Sequence, residues 1–151
     1  MDSNPIRIHP LDTIAIAARK IMRRRYRSLP VVDDERHFLG VVKVNDMLRL
    51  ILPSQVTTHN MSAIVGKYEN LSIEDLRDNL DNMLDDPIGP HIVTEVVTVA
   101  PETSLIETLL TMHRLEQNLP VVDRGTGRLE GMISYYDIGD MMLQGGCSHN
   151  L

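Results

Sequence analysis

Residues 6–48 and 97–139 overlay almost without gaps, and this internal repeat restricts the fold more than any other property of the chain. LPVVD stands at 29–33 and again at 119–123, Pro10 matches Pro101, and Gly40 matches Gly131. The second copy is one residue shorter ahead of LPVVD and one longer in the turn after it. Whatever one copy folds into, the other must fold into as well.

Each copy carries the same pattern of elements. A β-branched stretch, Ile6–Ile8 or Val97–Val99, runs toward a proline and predicts a short strand. An amphipathic helix follows, with Ile14, Ala17, Ala18 and Ile21 on one face, or Leu105, Leu109 and Met112 in the second copy. Thr13 or Asp12, and Thr103 or Ser104, supply side-chain oxygens for the helix starts. LPVVD predicts a buried strand, and the turns DDERH and RGTGR lead back into FLGVV and LEGMI as hairpins, with Gly125 and Gly127 suited to the second turn. A second helix starts near Asn45 and near Tyr135. The order β-α-β-β-α demands a right-handed crossover into the second strand.

The fold class is therefore mixed α/β (α+β). One repeat leaves an apolar sheet face uncovered and is too short to bury a core alone. Two repeats packed about a pseudo-two-fold axis cover each other and leave a cleft between their equivalent helix starts. The divisions are 1–52 for the first repeat, 53–92 for a linker, 93–144 for the second repeat and 145–151 for a flexible tail. With four tyrosines and one phenylalanine as the only aromatics, the core must be aliphatic. In the linker, NLSIEDLRDNLDNMLDD predicts an acidic helix over about 72–84. Ser72 and Asp75 form a capping box, Ile73, Leu76, Leu80 and Met83 form its apolar stripe, and Pro87, Gly89 and Pro90 end it. It reads as a cover over the core, with docking of a partner as the alternative.

Net charge is −6, which argues against general nucleic-acid binding. Arg19, Lys20, Arg23, Arg24, Arg25 and Arg27 make one basic spot, which a helix C-terminus accommodates. No apolar run is long enough to span a bilayer, MDSNPIRIHP has no signal-type apolar stretch, and Cys147 has no partner for an internal disulfide. These features imply a cytoplasmic setting. The histidines are scattered without metal-ligand spacing, and no nucleophile–base order or paired carboxylates suggest catalysis, so the chain is not expected to be an enzyme.

The motifs GVVKVNDM (40–47) and GMISYYDI (131–138), set beside the two LPVVD strands, resemble a tandem pair (a Bateman module) of CBS domains, which are named after cystathionine β-synthase. The resemblance covers about 6–52 and 93–144. It implies a regulatory module that binds an adenine-containing ligand (AMP, ADP, ATP or S-adenosylmethionine, with Mg2+ accompanying a polyphosphate), modulates a partner protein and forms homodimers.

The resemblance also implies crossed sites. In the main one, Ser134 contacts phosphate, Asp137 the ribose hydroxyls and Met132 the base, while Ile6, Tyr26, Arg27, Ser28 and Pro30 come from the first repeat. In the second, Lys43 and Asp46 face Val97, Gln117, Asn118 and Pro120, but Lys43 replaces the hydroxyl residue and no aromatic or arginine precedes Pro120. The chemistry stands without the resemblance. A carboxylate accepts from two vicinal hydroxyls, a helix N-terminus beside an arginine suits phosphate, and a tyrosine stacks on a purine. Ser134 and Asp137 also read as a capping box, and Asp46 as a charge complementing a helix dipole. A ligand-free dimerisation or protein-interaction scaffold is the alternative function.

Overall fold

The computed structural model describes residues 3–24, 26–51 and 72–148, with the side chains of Arg24, Ile51 and 145–148 excepted. Arg25, the first half of the linker and the last residues of the tail lie outside that range. The described elements are α1 (Ile14–Arg24), β1 (Ser28–Val32), β2 (Phe38–Lys43), α2 (Val44–Ile51), α3 (Ile73–Asp81), a 3₁₀ turn (Gly89–His91), α4 (Leu105–Leu115), β3 (Leu119–Val122), β4 (Leu129–Ile133) and α5 (Tyr135–Ser148). The fold is α+β: β1 and β2 pair antiparallel, β3 and β4 do the same, and each hairpin is covered by the helices that flank it. No helix among the described residues is long and apolar enough to cross a membrane.

The first strand of each repeat is shorter than the β-branched runs predict. Ile8 meets Val31 and Val99 meets Val121, each as a single parallel bridge. Prolines explain the truncation. Ile8 N–H donates to the Pro30 carbonyl and Val32 N–H donates to the Ile8 carbonyl. The next donors along that ladder would be the nitrogens of Pro10 and Pro30, which carry no hydrogen. Val99 repeats the arrangement with Pro120 and Val122, and Pro101 and Pro120 block its continuation.

Helix starts distinguish the repeats. Ser104, rather than Thr103, caps α4 by accepting from Glu107 N–H, while the Thr103 hydroxyl takes Ala100 N–H. At α1 the Thr13 hydroxyl accepts from Ile16 N–H at 3.4 Å, and the linker supplies the other acceptors: Ile14 and Ala15 donate to the carbonyls of Asp86 and Leu84. This docking bends the chain, so α3 ends at Asp81 instead of reaching 84 and gives way to turns. The Ser72–Asp75 capping box forms as expected. Leu80 and Met83 reach an apolar cavity of about 90 Å³ against Ile14, Ile21, Met47 and Leu48, whereas Ile73 stays in solvent. Ile88 is fully buried with Ile8, Ile14 and Leu29, so the end of the linker belongs to the first repeat's core. At the other terminus α5 continues to Ser148, through residues that the sequence assigns to a tail.

The repeats join at their hairpin turns. Phe38 N–H donates to the Gly127 carbonyl and Leu129 N–H to the Arg36 carbonyl. In the repeat alignment Phe38 corresponds to Leu129 and Arg36 to Gly127, so these two bonds are one bond seen from both sides of the pseudo-two-fold axis. His37 bridges Arg128, its own counterpart, on that axis. Arg36 and Gly127 share the left-handed backbone this requires, with φ of 67° and 72°. Val32, Leu129 and Met132 form the small core beneath the seam.

Candidate functional site

At the start of α5, Ser134 and Asp137 are locked into each other. Ser134 N–H donates to Asp137 Oδ2 at 2.7 Å, the Ser134 hydroxyl donates to the same oxygen at 2.8 Å, and Asp137 N–H returns a bond to Ser134 Oγ at 3.2 Å. Partial burial pushes the Asp137 carboxyl up, and the bonds from Ser134 lead the effects that outweigh it, leaving Asp137 below the ordinary carboxylate range. The group is therefore an anion at neutral pH, held at the mouth of a helix.

That pair forms part of the wall of a cavity of about 220 Å³. Pro5, Ile6, Tyr26, Ser28 and Pro30 of the first repeat and Asn118, Met132, Ser134 and Asp137 of the second complete the lining. The strand pattern puts them there. Ser28 and Pro30 alternate with Leu29, which turns into the core, and Met132 lies opposite Pro120 across the second hairpin. The walls differ in character: Ile6, Tyr26, Pro30 and Met132 can sandwich a flat apolar ring, while Ser28, Asn118, Ser134 and Asp137 offer hydroxyl, amide and carboxylate partners.

The sequence expectations fare differently by residue. Ile6, Tyr26, Ser28, Pro30, Met132, Ser134 and Asp137 come together around one cavity. Arg27 does not line it; its side chain is exposed and its carbonyl accepts Val44 N–H at the start of α2. Asn118, expected at the second site, faces this cavity instead. It is the counterpart of Ser28 in the repeat alignment, and near a two-fold axis both counterparts face the same space. Pro5 was not anticipated, although its adjacency to Ile6 was the available signal.

At the first repeat's motif no equivalent box forms. Lys43 stands where Ser134 stands, with no hydroxyl to bind the neighbouring carboxylate, and Asp46 turns to Arg49 at 3.7 Å within α2. Val97 is exposed and Pro120 fully buried. Among the described residues no group of three or more histidine, cysteine, aspartate or glutamate side chains is placed to hold a metal ion.

The family model of the CBS domain matches residues 1–53 and 88–142. No curated protein matches the chain. Among solved structures, the CBS-pair protein CBSX2 from Arabidopsis thaliana superposes with a TM-score of 0.70 at 21% identity, over 94% of this chain and 91% of that one. CBSX2 in complex with AMP gives 0.66 at 20% identity, over 94% and 92%. A CBS domain protein from Streptococcus pneumoniae gives 0.63 at 23%, over 93% and 80%. At these identities the superpositions establish the fold, and the family match extends over both repeats. The chain belongs to the CBS domain family, as a tandem pair.

Proposed function

We propose that the chain is a regulatory module that senses an adenine-containing ligand (AMP, ADP, ATP or S-adenosylmethionine) in the cleft at Asp137. The observation that carries this reading is a cavity walled by both repeats, with an ionised carboxylate and a hydroxyl at a helix start on one side and a tyrosine across from them. Asp137 accepts from the two ribose hydroxyls. The Ser134 hydroxyl turns from Asp137 toward a phosphate at the N-terminus of α5, and Ile6, Tyr26 and Met132 enclose the base. Any Mg2+ arrives on the phosphates of a polyphosphate ligand. The AMP complex of CBSX2 supports the ligand class.

A ligand that touches both repeats favours one relative orientation of them, and a coupling of about 1–3 kcal/mol suffices to alter affinity for a regulated partner protein. The role needs no catalytic step. Calorimetric titration of AMP, ADP, ATP and S-adenosylmethionine tests the reading. At least one binds the wild type, and Asp137→Ala weakens it by about tenfold to a hundredfold, the worth of a hydrogen bond to a charged group. If none of the four binds the wild type, or Asp137→Ala binds as tightly, the reading fails and the ligand-free scaffold stands in its place.

A further inference from the structure

Among the described residues, Arg7 alone carries a buried side-chain atom that nothing satisfies: its Nη1 is shut off from solvent and has no hydrogen-bond partner. Its guanidinium forms no ion pair either. A guanidinium keeps its charge at any pH a protein meets, so a shielded, unpaired one is costly. The other polar groups of this segment are engaged with one another. Asp12 accepts from His9 N–H at 2.9 Å and stands 3.8 Å from Lys20 Nζ, while Lys20 donates to the Arg7 carbonyl at 2.7 Å. The main chain at Arg7 is thus tied to α1, and the charged head of its side chain has no counter-ion.

Strand geometry says which way that side chain leaves. Ile8 bridges Val31 in parallel, and both belong to the first repeat's core. Side chains alternate along a strand, so Arg7 leaves on the opposite side, the one that Pro30 takes in β1. Pro30 lines the cleft, and Ile6, at the start of the segment, touches both the cleft and the core. Arg7 itself is outside the lining, but no hydrogen bond has to break for its long side chain to turn toward the cavity. The lining needs what Arg7 carries. Of its nine residues only Asp137 is ionised, and none is lysine, arginine or histidine. A phosphate dianion brought in beside that carboxylate is repelled unless a cation meets it.

We propose, resting on the adenine reading above, that Arg7 is the cation that takes the ligand's phosphate. The cleft then selects an adenine nucleotide over an uncharged or cationic adenosyl compound, S-adenosylmethionine included. The planar fork of Arg7 closes on two phosphate oxygens, a contact that a sulfonium or a bare 5′-hydroxyl cannot make. The same contact gives the shielded charge its counter-ion, so the ligand relieves a strain that the free chain holds.

Calorimetric titration of AMP, adenosine and S-adenosylmethionine into the full chain, with urea unfolding of the ligand-free protein, tests this. The wild type binds AMP at least about tenfold more tightly than either of the others. Arg7→Met keeps the bulk and removes the charge. It weakens AMP by about tenfold to a hundredfold, the worth of a charged hydrogen bond, and changes adenosine by less than about threefold. Its urea midpoint without ligand is no lower than that of the wild type, because an apolar group replaces an unpaired buried cation. Arg7→Lys keeps a charge without the fork and falls between the two in its affinity for AMP. Arg27→Met, at an exposed arginine outside the lining, costs AMP less than about threefold. Four results overturn the assignment of Arg7 while the adenine reading stands: AMP no tighter than adenosine in the wild type, equal losses of AMP and adenosine in Arg7→Met, a lowered midpoint in that variant, or an equal loss of AMP in Arg27→Met. If no adenine ligand binds the wild type, the adenine reading fails and the assignment fails with it.

Discussion

The aspartate that closes LPVVD organises the turn after it. The Asp33 carboxylate accepts from the backbone of Glu35 and His37 and pairs with the His37 ring at 2.9 Å. Asp123 accepts from Gly125 N–H, Thr126 N–H and the Thr126 hydroxyl. The repetition of this pentapeptide therefore reflects hairpin construction, while the residues just ahead of it, Ser28 and Asn118, line the cleft. Thr126, through its N–H and then its hydroxyl, and Gly125 hold the Asp123 carboxyl below its ordinary value. A depressed carboxylate stabilises the fold above its unfolded pKa, and that contribution disappears as pH falls through the folded value. Stability should thus decline below about pH 4, where an unperturbed aspartate takes its proton. Asp123→Asn keeps an acceptor oxygen but cannot titrate. Its urea midpoint should drop less between about pH 6 and pH 3 than that of the wild type, and an equal drop would show that the carboxylate is not a source of the acid sensitivity.

Among the elements, β2 and the start of the second repeat are bound together more closely than their distance in sequence suggests. Val41 and Val93 exchange two backbone hydrogen bonds, at 3.0 and 2.8 Å, beside Gly40. A Cβ on Gly40 would collide with the Val93 carbonyl, and its φ of +151° is one that other residues rarely adopt. Gly40→Ala is expected to destabilise the chain by about 1–3 kcal/mol, read as a lower denaturant midpoint with no loss of helix content. Helices and hairpins could be read from the sequence because apolar period, proline position and repeat register all agreed, whereas the cleft residues came from the resemblance to CBS pairs. Three features escaped that reading for physical reasons. The truncated first strands depend on which nitrogen faces which carbonyl, so Pro30 and Pro120 act on a neighbouring strand rather than their own. The early end of α3 depends on Leu84 and Asp86 meeting the free N–H groups of α1, a contact that no local pattern announces. Asn118 escaped on the same ground: its place follows from the position of the axis, which emerges only when both repeats are assembled.

For the molecule as a whole, the seam at His37 and Arg128 fixes one end of the axis, and the cleft lies where Ser28 and Asn118 approach each other. One motif carries Ser134 and forms the box at Asp137; the other carries Lys43 in that place, and its Asp46 meets Arg49 instead. The symmetric frame therefore carries an asymmetric chemistry, one anionic pocket wall and one cationic replacement. The prolines give this frame a further property. Pro5 and Ile6 line the cleft, yet the segment that carries them is joined to β1 by the two hydrogen bonds of Ile8. Amide exchange at Ile8 and Val32 should run faster than at Val42 in the hairpin, and a bound nucleotide should slow it, whereas equal rates with and without ligand would show that the segment does not respond to occupancy. On the proposed reading, a ligand that passes this one strand, with both hairpins and the seam still closed, has a residence time set by how often the strand opens.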